Sequence, residues 1–392
     1  ELAFTLASAN DYLIHLSEKG IPAGDIARRM QFTFAIGSSY FLEVAKIRAA
    51  RMLWSAIIKQ FDGTTNEDAS VHIHGETSIY NKTVFDPFVN ILRSTTEVMS
   101  AAIGGCNSIS VNPFDTPYQP DNPFSRRNAR NQQLVLKEEA YLNKIIDPSA
   151  GSYYIENLTD TIAEGAWQLF KEVENRGGFL RAVESGYVKE AIENTASERE
   201  ANIAKRRRII LGTNQYPNSG ENMLGEIRVT EQKQYPGLRL HRGAEPFEQM
   251  RLNTERYIAE GNNTPSVFIL TMGNLAMRKA RATFSGNFFG CAGFETIDTN
   301  GFESTDAAAG AAVAKKADIV VICSSDEEYA EIAGPIARAV KPERPDTVIV
   351  VAGNPADIIE QLKTDGVDEF IHVRTNVLES LMHFQQKLGI TS

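Results

Sequence analysis

The sequence predicts an α/β protein made of two successive parallel βα arrays, and three features carry that prediction. From Ser266 onward, short apolar runs alternate five times with amphipathic helical stretches. A looser alternation of the same kind, with three apolar runs, fills the first third of the chain. Between the two the composition turns polar and charged, with proline and glycine as breakers. The 392 residues are enough for two domains with full cores. The expected boundaries are 1–195 for the first domain, 196–263 for a linker and 264–392 for the second.

The first array opens on Glu1-Leu2-Ala3-Phe4-Thr5-Leu6, which reads as the interior of a helix with no start methionine, so the chain is expected to be a fragment. Strands are expected over 32–36, 71–75 and 108–112, with helices over 41–61 and 85–102 between them. In such a repeat the strands pair in parallel and the helices cover them. Three strands cannot close a barrel. A (β/α)8 TIM barrel takes about 250 residues, so if this array is the C-terminal portion of one, five strands lie upstream of Glu1. Further helices are expected over 133–139 and 160–176, separated by the turn-forming Asp147-Pro148-Ser149-Ala150-Gly151. The linker holds the breakers Pro217, Gly220, Pro236 and Gly237. It also holds the one basic run, Lys205-Arg206-Arg207-Arg208, which reads as a solvated helix end or as a contact for an anion or acidic partner.

In the second array the strands are expected over 267–271, 294–297, 318–323, 347–352 and 369–372. The helices fall over 276–288, 306–316, 326–340, 356–365 and 377–388. That is a complete doubly wound domain of flavodoxin-like size, and such domains hold their ligands at the C-terminal ends of the strands.

A net charge of −10 leaves no cationic field for nucleic acid or an anionic membrane, so the partners are expected to be small molecules or proteins. Cys106, Cys291 and Cys323 are far apart, with no spacing suited to a disulfide framework or a zinc site, and a reducing cytoplasm is the expected compartment. No apolar run approaches the ~20 residues of a membrane span.

Several strings of the first half resemble the barrel of the methylmalonyl-CoA mutase family, in the family's order and approximate spacing. They are Phe34-Ala35-Ile36-Gly37 with Glu43-Val44-Ala45-Lys46-Ile47-Arg48-Ala49; His74-Gly75-Glu76-Thr77-Ser78; Asn112-Pro113-Phe114-Asp115; Arg127-Asn128-Ala129-Arg130-Asn131; and Asp147-Pro148 with Gly151-Ser152-Tyr153-Tyr154-Ile155-Glu156. The resemblance implies a substrate barrel followed by a cobalamin-binding-type domain. It also implies a radical interconversion of methylmalonyl-CoA and succinyl-CoA in which adenosylcobalamin carries the difficult chemistry.

The family's catalytic chains open the second domain with an Asp-x-His-x-x-Gly loop whose histidine ligates cobalt. Counting back from Gly293-Phe294-Glu295 places Ala276, Arg278 and Arg281 at those three positions. A guanidinium stays protonated and offers no lone pair to a metal. The family's Ser-x-Leu appears as Ser324-Ser325-Asp326, its Gly-Gly pair is reduced to Gly353, and Ser325 and Asp326 read as helix N-caps. Phe284, Phe288 and Phe289 are candidates for packing the vacated cleft shut. On the substrate side, Arg29 matches a family arginine that contacts CoA and His74 matches the barrel histidine, whereas Glu76 replaces a glutamine.

The resemblance therefore implies a non-catalytic small subunit. His74 and Glu76 would be vestigial, adenosylcobalamin would belong to the holoenzyme without being bound by this chain, and a large subunit would complete a heterodimer in which acyl-CoA is a further possible ligand. Two other readings stay open: an active chain that binds cobalamin without a histidine ligand, and a module whose pocket holds another small molecule such as a nucleotide, although no GxGxxG or P-loop string is present.

Overall fold

The computed structural model describes residues 1–228 and 240–391. Pro236 and Gly237, expected as breakers, lie outside the described residues. The chain forms two compact units, the first made of Glu1–Lys82, Pro87–Glu198 and Arg228–Arg242, the second of Thr83–Asp86, Arg199–Ile227 and Gly243–Ser392.

The first unit runs α1 (Leu2–Glu18), α2 (Ala23–Ala27), β1 (Gln31–Ile36), α3 (Tyr40–Ile58), β2 (His72–Thr77), α4 (Val89–Ile103), β3 (Ser108–Ser110), α5 (Pro123–Leu134), α6 (Tyr153–Asn175), α7 (Phe179–Glu184) and the part of α8 (Tyr187–Ala204) up to Glu198. The sheet is parallel in the order β1-β2-β3, with Thr33 opposite His74 and His74 opposite Ser108. Strand periodicity sorts the side chains of β1: Phe32, Phe34 and Ile36 are buried, whereas Gln31, Thr33 and Ala35 are exposed. The apolar face lies under α3, whose Trp54 meets Phe32 edge-on at 5.0 Å, and α1 and α6 add Leu6, Leu13, Phe170 and Val173 to the same core. Parallel sheets are ordinarily covered on both faces. Here the second face carries Gln31, Thr33, Ala35, His72 and Glu76, all exposed in the structure.

Two expected helices shift. The one expected over 133–139 is a π-helical turn, Val135–Glu139, at the end of α5. That helix begins at Pro123 behind a capping box in which Asn122 and Ser125 bond each other's amides. The one expected from 160 begins at Tyr153.

The second unit runs α9 (Glu245–Ala259), β4 (Ser266–Thr271), α10 (Leu275–Gly290), β5 (Glu295–Ile297), α11 (Thr305–Lys315), β6 (Ile319–Cys323), α12 (Tyr329–Glu343), β7 (Val348–Ala352), α13 (Ile359–Thr364), β8 (Glu369–Ile371) and α14 (Val377–Lys387). All five strands are parallel in the order β5-β4-β6-β7-β8, the 2-1-3-4-5 order of flavodoxin-type sheets. β6 and β7 are buried at every residue, which is why they read as unbroken Val/Ile runs. Phe268, Leu270, Val320, Ile322, Ile349 and Val351 pack with α11 and α12 on one face. On the other, Gly286 of α10 lets that helix sit over Ile269, and Phe289 packs on Phe384 of α14 at 5.2 Å.

The stretch expected as a linker contains α9, which belongs to this second unit. Its buried residues include Glu248, Arg251, Asn253, Thr254 and Glu255. Glu255 accepts the amides of Met223 and Leu224 at 3.0 and 2.9 Å, and Arg251 Nη2 donates to the carbonyls of Asn218 and Glu221 at 2.7 and 2.8 Å. Charged side chains thus fold this polar segment onto the unit. The basic run is not a uniformly solvated helix end, because Arg206, at φ +54°, donates to the carbonyls of Asn214 and Asn287.

Candidate functional site

In a doubly wound sheet the ligand crevice lies where the strand order reverses, here between the loops that follow β4 and β6. A single carboxylate ties these loops together. Glu328 accepts the Asn274 amide at 3.0 Å, the Ser324 hydroxyl at 2.6 Å, and the Ser325 amide and hydroxyl at 3.2 and 2.8 Å. The Ser324 bond, then those from Asn274 and Ser325, hold its carboxyl down to about 2. Gly273, at φ +72°, lies so close beneath that an added Cβ would overlap Glu328 and the Ser324 hydroxyl. Nor do the first amides of α10 face an empty site. The Asn274 side chain caps them, accepting from Ala276 and Met277 at 3.1 Å each.

Behind this clamp Arg281 reaches in from α10. Its guanidinium pairs with Asp326 at 3.0 Å, donates to the Tyr329 hydroxyl at 3.1 Å and bonds the Ala352 carbonyl. Tyr329 is fully buried; its hydroxyl donates to the Ala352 carbonyl at 2.7 Å and accepts the Ser324 amide at 3.0 Å. Burial pushes that phenol up, so it stays protonated. Gly353 faces the group, and a Cβ there would displace Arg281, Asp326 and the Tyr329 ring. The ends of β4, β6 and β7 are therefore joined by side chains of the protein itself, each satisfied by a neighbour.

Four expectations change. Ser325 and Asp326 do not cap α12, which begins at Tyr329; Ser325 bonds Glu328 and Asp326 pairs with Arg281. The crevice is filled by Arg281 and Tyr329, not by phenylalanines: Phe288 and Phe289 are fully buried next to one another, and Phe284 faces Arg206 at 5.9 Å. Arg281, counted at the position of a loop glycine, lies instead within α10 with its side chain turned into the crevice. The other two positions of the expected loop lie in the first turn of α10: Ala276 is exposed, and Arg278 donates to the Gly273 carbonyl at 3.4 Å.

The first unit presents a second candidate on the uncovered face of its sheet. His74 is half-buried, and its Nδ1 lies 2.8 Å from the Ser108 hydroxyl, which His72 Nε2 also meets at 3.0 Å. One hydroxyl proton serves one imidazole, so the other ring must donate, and the three groups form a short proton relay. Glu76, two residues on along the same face, accepts from Asn112 Nδ2 at 3.1 Å. Arg29 is exposed and precedes β1, at the opposite end of the strands from Glu76, so the sheet does not bring these two together. Behind the end of β2, Lys82 Nζ pairs with Glu97 at 2.6 Å, with both side chains buried. Burial lowers the Lys82 pKa and raises that of Glu97. Sequence patterning did not flag this pair, because an isolated lysine after a strand carries no signal of burial.

Among the described residues no three His, Cys, Asp or Glu side chains gather to hold a metal, and no helix is long and apolar enough to cross a membrane.

The model of the methylmalonyl-CoA mutase family matches residues 1–251. Over its full length the chain is 49% identical to the methylmalonyl-CoA mutase small subunit of Porphyromonas gingivalis and spans 63% of that protein. It is 34% identical, over 99% of its length, to a probable small subunit of Mycobacterium bovis, of which it spans 62%. The large subunit of P. gingivalis is 38% identical over 229 residues, which is 58% of this chain and 32% of that protein.

Proposed function

The chain belongs to the methylmalonyl-CoA mutase family, on its small-subunit side, and from that premise we propose that it is the non-catalytic member of a two-chain isomerase. A large subunit carries out the interconversion of methylmalonyl-CoA and succinyl-CoA with adenosylcobalamin. The first unit is the C-terminal part of a (β/α)8 barrel, and the second is a degenerate cobalamin-binding-type domain. The uncovered polar face and two open edges of β1-β2-β3 support the barrel assignment, since a closed barrel has neither. Acyl-CoA is the candidate ligand of that face, with Arg29 at one end of the strands and His74 and Glu76 toward the other.

One observation carries the claim of catalytic silence. The crevice that would receive a corrin's nucleotide tail is bridged by Glu328 and filled by Arg281, Asp326 and Tyr329, all bonded to one another or to the strand ends. These residues do not fit that group: the loop offers no imidazole for cobalt, and the space beyond it is occupied. A chain active without a histidine ligand would still need this space, so the filled crevice also weighs against that alternative.

The test is to incubate the full-length protein with hydroxocobalamin, separate it on a sizing column and record the visible spectrum of the protein peak, with and without the large subunit. Colour is expected to travel only with the pair. Corrin migrating with this chain alone would overturn the reading.

A further inference from the structure

The loop that leads into α6 displays apolar side chains that the fold around it does not use. Ile145 and Ile146 are 66% and 97% exposed, and Tyr153 and Tyr154, at the start of α6, are 95% and 61% exposed. Tyr141, at 60%, opens the loop; Phe41, at 52%, stands on the first turn of α3 with its ring edge-on to Tyr154 at 5.5 Å. The loop is firmly held. Arg48 of α3 pairs with Asp147 at 3.1 Å and Glu156 at 2.8 Å, and Glu156 also accepts the Gly151 amide at 2.9 Å. Tyr141 and Asp147 both occupy left-handed backbone, φ +56° and +44°, a region that side chains other than glycine seldom adopt.

An anchored loop that turns isoleucines and tyrosines to solvent is arranged in advance to bury them against another surface. The six exposed fractions amount to about four whole large side chains, and at ~150–250 Å2 for an aromatic residue that is roughly 600–1,000 Å2. One partner in a stable complex contributes about 800 Å2.

We propose that this patch docks the large mutase subunit. The proposal rests on the two-chain reading above and adds where the two chains meet. A large subunit of the kind that is 38% identical to this chain over 229 residues can offer a related surface, so that the two pair about a pseudo-two-fold axis. A second copy of this chain fits less well, because two molecules of net charge −10 repel one another.

The experiment titrates the full-length protein against the large subunit and compares wild type with Ile146→Asp and Tyr153→Asp. Met382→Asp, at a 46% exposed position on α14, serves as the control. Each patch variant is expected to raise Kd at least tenfold and leave the melting temperature of the isolated protein unchanged, with the control within twofold of wild type. An unchanged Kd in both patch variants overturns the docking site and leaves the two-chain reading intact. A wild-type protein that does not bind the large subunit overturns that reading and this proposal together. A clear fall in melting temperature on substitution shows the patch to be covered by the protein's own chain. Self-association of the wild type that the substitutions abolish, with Kd for the large subunit unchanged, assigns the patch to a second copy. Either of these last two results also overturns the proposal.

Discussion

At the C-terminal ends of β4 and β6 one carboxylate gathers donors from two loops, and an arginine fills the space behind; along β2 and β3 the side chains of the open face bond laterally and leave that face to solvent. Both regions reach the mouth of a parallel sheet, where binding sites form. In the second unit the mouth is closed by groups as polar as any ligand, so nothing buried there is left without a partner. In the first unit the strongest charge pairing has moved behind the strand ends, to Lys82 and Glu97, and the surface in front stays polar and accessible. The mouth of a parallel sheet can therefore be closed by the protein's own polar side chains as well as left open to solvent.

Three substitutions press on that contrast. Lys82→Met should have the largest effect, because it leaves the Glu97 carboxylate buried without its cation. A loss of about 3–5 kcal/mol is expected in urea unfolding, largely recovered by adding Glu97→Leu. A loss under about 1 kcal/mol would mean that the pair does not anchor the fold. Next comes Tyr329→Phe, which takes the hydroxyl from the Ser324 amide and the Arg281 guanidinium and should cost about 1–3 kcal/mol. If the second mouth were closed by packing alone, that variant would unfold with wild type.

The smallest effect belongs to Glu328. Its carboxyl titrates near 2 when folded, against about 4.3 in an unfolded chain. Its contribution is thus present above about pH 4–5 and is lost as pH falls towards 2. Glu328→Gln should flatten the decline of melting temperature across that window. Parallel curves for variant and wild type would remove the clamp from the account.

The family resemblance, read from strings such as His74-Gly75-Glu76 and Gly151-Ser152-Tyr153-Tyr154, agrees with the family match over residues 1–251. All eight strands were legible to within a few residues, because Val267–Leu270 and 319–323 are buried runs and β1 alternates cleanly. Helix α9 was not, since its buried residues mix Phe247 and Met250 with Glu248, Arg251 and Glu255, and a search for apolar periodicity passes over charged residues that bond inward. α5 escaped because its buried residues, Ser125 and Ala129, are too few for an apolar period, although Asn122-Pro123 with Ser125 is a helix-start signal that could have found it. At the crevice, the sequence drew attention to Ala276, Arg278 and Arg281 at the start of α10. The direction of the Arg281 side chain was not legible, because its partners Asp326 and Tyr329 lie more than forty residues away in sequence. Ser325 and Glu328 have the spacing of a capping box, a signal that could have found their mutual bonding but not the bond to Asn274.

The clamp also sets a clock. Loops that admit ligands belong to the regions that open most readily, and their amide hydrogens exchange early. The amides of Asn274, Ser324 and Ser325 are instead tied to Glu328 and Tyr329, beside strands buried at every residue. Deuterium will enter these loops on the timescale of the sheet, and in this protein the rim of the crevice keeps time with the core.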